Sequence, residues 1–139
     1  MAVSPEISEF LGIEPGDTPQ QRIDRLRQGL PYEAIEGLRE DLDLSLSEFA
    51  EALGISVRTL NRRKEQGELN AEESDRVFRI ARVYSHALEV FETRRRATEW
   101  FKSENPALDG MTPLEVFDTD FGAQLVDDVL TRVEYGVYS

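Results

Sequence analysis

Residues 54–64 read Gly-Ile-Ser-Val-Arg-Thr-Leu-Asn-Arg-Arg-Lys and place four cations between positions 58 and 64 with no acid among them. On a helix with Leu60 turned inward, Arg58 and Arg62 lie one turn apart on the outer face. A guanidinium there can take guanine O6 and N7 with two hydrogen bonds, or clamp a phosphate. Thr59 sits beside them, Ser56 stands at the helix start, and Arg63 and Lys64 suit backbone phosphates. These six form the candidate DNA-contact set. A solvated helix with cations near its C-terminus, where the helix dipole favours them, is the plainer reading of the same residues.

Other residues invite chemistry less. His86 is the single histidine in 139 residues. It has no second histidine and no acid at metal-ligand spacing, and a general base needs a nucleophile or orienting partner within reach. It reads as a packed or surface histidine. No P-loop, dinucleotide fingerprint or nucleophile elbow occurs. The carboxylate pairs Asp118/Asp120 and Asp127/Asp128 fit a helix start and a helix surface. No catalytic residue, metal site or cofactor is expected, and the chain does not read as an enzyme. The C-terminal stretch Arg132-Val133-Glu134-Tyr135-Gly136-Val137-Tyr138-Ser139 carries two tyrosines in its last five residues. They fit an interface anchor or a hydrophobic cap folded back on the last helix.

The elements around these residues are helical throughout. No stretch alternates apolar and polar residues with β-branched enrichment, so the chain is expected to be all-α. Ser45-Leu46-Ser47-Glu48 is a capping box that opens a helix bearing Phe49, Ala50 and Leu53, stopped at Gly54. Ser56 caps the next helix, Val57 to Gln66, and Gly67 ends it. Two short helices across a glycine turn, the second rich in arginine, describe a helix-turn-helix. Upstream, Thr18-Pro19 starts a helix that stops at Gly29, and Leu30-Pro31 opens another with Ile35, Leu38 and Leu42 on one stripe. Residues 1–17 look peripheral, with a short helix from Ser4-Pro5-Glu6 to Gly12.

Downstream, a second capping box at Asn70–Glu73 opens a long helix striped by Val77, Ile80, Tyr84, Leu88 and Phe91. Arg76 and Arg79 each follow an acid by four residues, which predicts a surface ion-pair lattice. Arg94-Arg95-Arg96 fits a solvated helix start, a phosphate contact or a docking patch. A helix capped at Thr93 carries Ala97, Trp100 and Phe101, and Asn105-Pro106 breaks the chain. Thr112-Pro113 starts a single turn. The last helix runs from about Thr119, with Phe121, Leu125, Val126, Val129, Leu130 and Val133 on one wide apolar face. The expected domains are an N-terminal extension over 1–17, a helix-turn-helix unit over 18–70 and a second helical unit over 71–139.

Charge first argues against nucleic acid, since 28 acidic against 16 basic side chains leave a net charge of −12. By segment, however, residues 56–64 carry +4 and residues 76–102 another +4, between −8 before residue 56 and −7 after residue 102. Two basic islands stand in an acidic chain, whose acidity suits steering toward a basic protein partner or a salt-adapted host. The absence of cysteine removes disulfides and thiolate chemistry. No apolar run reaches the roughly 18 residues of a membrane helix and no signal pattern opens the chain, so a cytoplasmic location is expected.

From about Gly29 to Ser139 the chain resembles an antitoxin of the Xre/ParS type, the partner of RES-domain toxins. The resemblance rests on Arg58 to Lys64, on the glutamate-rich helix entry from Leu69 to Arg76, on Asn105 to Leu108, on Thr112 to Leu114 and on Gly136 to Ser139. The family often has histidine where this chain has Tyr135. The resemblance implies that the helix-turn-helix binds the operator of its own toxin–antitoxin operon and that the part from about residue 76 binds the toxin; a homodimer would suit a palindromic operator. RES toxins deplete NAD, and their antitoxins block the active-site entrance. The toxin-contact set carried over is Arg132, Glu134, Tyr135, Gly136, Val137, Tyr138 and Ser139, with Arg132 and Glu134 at the rim and the tail in an NAD-sized cleft. A stand-alone repressor whose C-terminal half only dimerises, and an interaction module that has lost DNA binding, are the competing expectations.

Overall fold

In the computed structural model, which describes residues 5–136, local capping decides where most helices begin. Thr18, Ser45 and Asn70 each accept the backbone N–H three residues on, and Gln21, Glu48 and Glu73 return the bond to the cap's own N–H. These open α2 (Pro19–Gln28), α4 (Leu46–Leu53) and α6 (Ala71–Phe91). Single hydroxyl caps at Ser56, Thr93 and Thr119 open α5 (Val57–Gln66), α7 (Arg94–Phe101) and α8 (Asp120–Glu134). With α1 (Pro5–Leu11) and α3 (Glu33–Asp41) they make eight α-helices among the described residues, plus two 3₁₀ turns at Pro106–Leu108 and Pro113–Val116. The described residues hold no strand. A lone antiparallel bridge between Pro31 and Glu68 ties the start of α3 to the end of α5.

The 21-residue α6 is the axis of the molecule. It packs against α1, α2, α3, α4, α7 and α8, so both halves of the chain share one core and no linker separates them. Val77, Ile80, Ala81, Val83, Tyr84 and Ala87 are sealed from solvent along it. Tyr84 meets Phe101 edge-on at 6.0 Å, and Phe101 lies 5.6 Å from Phe117, a geometry that adds about 1 kcal/mol per pair beyond simple burial. The Tyr84 hydroxyl donates to Asp41 Oδ2 at 2.6 Å, so this ring is buried without an orphaned polar atom.

Two expectations are corrected here. The described part of residues 1–17 is not peripheral: Ile7, Leu11 and Ile13 are at most 1% exposed, and α1 packs on α3 and α6. Ile7 and Leu11 stand four apart on one face, which is enough to bind a seven-residue helix to a core although it would not persist alone. Phe121, expected on the buried face of α8, is 75% exposed. Nine residues are two and a half turns, so Phe121 points opposite the buried Leu130. The true inner face is Gly122, Ala123, Val126, Val129 and Leu130. Gly122 is required there, because a Cβ would collide with the backbone carbonyl of Val116.

The arginine run also resolves. Arg94 lies 3.6 Å from Asp41 and Arg95 3.2 Å from Glu99, while Lys102 reaches Asp43 at 3.7 Å. Both ends of α7 are thereby docked to the end of α3 and the residues after it. No helix among the described residues is long and apolar enough to cross a membrane.

Candidate functional site

The first candidate surface is the outer face of α5. Gly54 adopts the left-handed conformation (φ 70°, ψ 32°) at the end of α4, a cheap position only for glycine, and turns the chain into α5. Ser56 Oγ accepts the Thr59 N–H at 3.1 Å and bonds the Thr59 hydroxyl at 3.0 Å. Both hydroxyls are therefore engaged in shaping the helix start. Leu60 is fully buried, which fixes the roll of α5 and turns Arg58, Arg62 and Lys64 to solvent. Among the described residues these three cations make no hydrogen bond or ion pair.

Arg63 departs from its expected place at a phosphate. Its Nε donates to Glu73 Oε1 at 2.7 Å and its Nη1 to Gln66 Oε1 at 2.9 Å, and only 17% of the side chain is exposed. Glu73 also accepts the Asn70 N–H at 3.0 Å, so one carboxylate closes the cap of α6 and holds α5 against it. Burial works to raise the pKa of Glu73, but the bonds from Arg63 and the Asn70 backbone, with the charges of Arg63 and Arg62, outweigh it and leave it lowered. Arg76 completes the frame: it pairs with Glu72 at 2.9 Å and donates to the Leu53 and Gly54 carbonyls at the end of α4. The expected surface lattice thus reaches inward as well, and α6 grips both helices of the helix-turn-helix.

The second candidate surface is α8 and its end. Arg79 lies 3.5 Å from Asp120, and His86 Nδ1 lies 2.8 Å from Asp127 Oδ1. Both pairs advance by seven residues, so α8 runs parallel to α6 with its acids facing α6's bases. His86 Nε2 also meets Glu134 Oε1 at 3.2 Å. Glu134, expected at a toxin rim, is thus occupied inside its own domain, although its side chain remains 37% exposed. The histidine read as partnerless has two partners. Spacing by seven puts Asp120, Asp127 and Glu134 on one stripe of α8, and Arg79 and His86 on one stripe of α6, a pattern legible in the sequence although it does not say that the two stripes meet.

The face of α8 turned away from its buried residues carries Phe121, Asp128 and Tyr135, again spaced by seven and all exposed, with Phe121 at 75% and Tyr135 at 74%. Tyr135 ends the helix through its N–H to the Thr131 carbonyl, and Arg132 is exposed one turn earlier. Gly136 follows with φ 68°. Val137, Tyr138 and Ser139, and with them the choice between anchor and folded-back cap, lie outside the described residues.

An arginine-faced helix-turn-helix, with a helical unit built on the same central helix and ending in an exposed tyrosine, defines a class: a DNA-binding-type domain joined to a protein-docking domain. Residues 21–82 match the Antitoxin Xre-like helix-turn-helix domain, and residues 86–136 match the Antitoxin Xre/MbcA/ParS C-terminal toxin-binding domain. The two matches meet inside α6. Antitoxin Xre of Photorhabdus laumondii is 30% identical over 116 residues, covering 82% of this chain and 78% of the relative. Antitoxin Xre of Yersinia enterocolitica is 29% identical over 119 residues, covering 84% and 80%. The crystal structure of the M. tuberculosis MbcT–MbcA toxin–antitoxin complex contains a chain of the same fold, with TM-score 0.59 and 23% identity over 78% of this chain and 96% of that one. The chain belongs to the Xre antitoxin family, which is not a family of enzymes.

Proposed function

We propose that this antitoxin neutralises a RES-domain toxin that depletes NAD, by seating the end of α8 and the tail after it in the toxin's active-site entrance. It also represses its own operon through α5. The observation that carries the first part is the end of α8. The toxin-binding family match closes at residue 136, next to a tyrosine that is 74% exposed on a helix otherwise fixed to the core. A rigid helix that delivers an aromatic side chain and a short tail suits a cleft with apolar walls and a few polar anchors. The fold neighbour comes from the crystal structure of a toxin–antitoxin complex, which supports a protein partner for this chain. Arg132, Tyr135, Gly136, Val137, Tyr138 and Ser139 are the proposed contacts, while Glu134, paired with His86, supports them from within the domain.

For DNA, support comes from three unpaired cations on α5. Arg58 and Arg62 suit base edges or phosphates, Lys64 a phosphate, and Ser56 and Thr59 present hydroxyls at the helix start. A homodimer on a palindromic operator suits such a helix. Deleting Val137-Tyr138-Ser139 tests the first part. Co-expressed with the product of the neighbouring gene, the truncated chain should fail to protect cells while melting like the full chain; continued protection overturns the proposal. Size-exclusion mass of the co-expressed complex reads the stoichiometry.

A further inference from the structure

Neither the DNA contact nor the tail makes use of His86. Its ring is 5% exposed, deep between α6 and α8. Both ring nitrogens face carboxylate oxygens, Asp127 at 2.8 Å and Glu134 at 3.2 Å. A neutral imidazole has one N–H and one lone pair, so either tautomer would set a lone pair against a carboxylate. Both contacts are satisfied together only by the imidazolium, which donates twice.

The surroundings leave this work to α8. Asp127 and Glu134 are the charges that act on the ring, and Arg82 and Glu89 lie one turn away on α6 itself. The other elements on α6 place their polar contacts elsewhere along it. α3 meets Tyr84 through Asp41, α4 meets Arg76 through its last carbonyls, α5 meets Glu73 through Arg63, and the loop before α3 bonds Ser74. α1 brings buried Ile7 and Leu11, and α7 brings Ala97 and Phe101.

We infer that charged His86 is a positioning residue: by holding Asp127 and Glu134 together it seats the last two turns of α8 on α6 and sets the direction in which Tyr135 leaves the domain. The inference rests on the preceding reading that this end of α8 enters the toxin. Glu134 is the residue next to Tyr135, so the bond at Nε2 acts directly at the point of departure. Losing the proton turns that bond into a repulsion and frees the final turn, while the apolar face of α8 stays packed. Burial opposes the charged ring, but the two carboxylates outweigh it and hold its pKa above the ordinary 6.5. A raised pKa means that the clamp is complete below the ordinary value and is lost as pH rises through the folded one.

Two measurements test this. In the free protein, hydrogen exchange at the Val133, Glu134 and Tyr135 amides, normalised for intrinsic rates, should lose protection as pH rises from about 6 to about 9, with no such step in His86→Gln. Protection without a step in the wild type overturns the inference. With the toxin, His86→Gln and Glu134→Gln should each weaken binding about tenfold, and the double variant no further, because both remove one interaction. Wild-type affinity should also fall with pH more steeply than that of either variant. Multiplying losses, or parallel pH profiles, would mean that Glu134 meets the toxin directly and overturn the clamp. Should His86→Gln not fold, Glu134→Gln alters a partly exposed side chain and carries both measurements. A wild-type exchange step in a protein that binds no toxin refutes the preceding reading while the clamp stands.

Discussion

The two functional helices are fastened to α6 with opposite polarity. On α5 the cation belongs to the functional helix and the carboxylate to α6, in the pair Arg63–Glu73. On α8 the carboxylates belong to the functional helix and the cations to α6, in Arg79–Asp120 and His86 with Asp127 and Glu134. The difference suits the partner proposed for each outer face. A helix directed at phosphates keeps its remaining cations free, and α5 gives up only Arg63 to the interior. A helix directed at a protein surface can turn its charges inward and leave Phe121 and Tyr135 outside. One central helix therefore carries a helix with free cations and a helix with exposed aromatic rings, without a linker between them.

The largest effect that would break this comparison is expected on DNA. Replacing both Arg58 and Arg62 with alanine removes two of the three unpaired cations of α5 and breaks no hydrogen bond or ion pair among the described residues. Each change should cost about 1–3 kcal/mol if it reads a base, and the salt slope of binding should fall by about 2 if both meet phosphates. Mobility-shift titration of the upstream promoter at two salt concentrations reads both, with the melting temperature unchanged. Retained affinity would leave α5 with no special role. Next in size is Asp127→Ala, which strips His86 of its closer partner. Leaving a buried imidazole N–H unsatisfied should destabilise the fold by about 1–3 kcal/mol in urea unfolding near neutral pH.

A smaller effect sharpens the contrast of polarity. Glu73→Gln keeps the shape of the cap but removes the charge that Arg63 and the Asn70 N–H share, and should cost about 1 kcal/mol near neutral pH. Its pH dependence is opposite to that of the α8 clamp. A lowered carboxylate pKa stabilises the fold above the ordinary value and ceases to do so as pH falls through the folded one. Wild type and Glu73→Gln should therefore converge in acid, whereas wild type and His86→Gln converge in alkali. Denaturant midpoints across pH for the three proteins separate the two attachments. Convergence of both pairs on the same side would refute the assignment of opposite signs.

What could be read in the sequence was what lies within four residues. The capping boxes at Ser45 and Asn70, the glycine stop at Gly54 and the cap at Ser56 are local, and they place α4, α5 and α6 correctly. The inward turn of Leu60 and the outward turn of Arg58 and Arg62 follow from helical spacing alone. The pairing of Arg63 could not be read because its partner is ten residues away on another helix. The partners of His86 are 41 and 48 residues away. No local rule pairs such residues until the order of packing is known. The parallel run of α8 on α6 depends on α7 and two 3₁₀ turns returning the chain. α1 was misjudged for a related reason: a seven-residue helix has little tendency of its own, and only the core shows that Ile7 and Leu11 belong to it.

The smallest predicted effect concerns the two sides of α8 itself. Phe121 and Gly122 are neighbours, yet one is 75% exposed and the other lies against the Val116 carbonyl. Phe121→Ser removes an aromatic ring from water rather than from the core, so stability should stay within about 0.5 kcal/mol of wild type. A loss of about 2 kcal/mol or more in the same urea titration would place the ring in the core and remove the outer stripe that it shares with Asp128 and Tyr135. With stability unchanged, any weakening of toxin capture by Phe121→Ser belongs to that stripe. The flank next to the acid ladder would then extend the protein contact from the end of α8 along its full length, about 22 Å at 1.5 Å per residue.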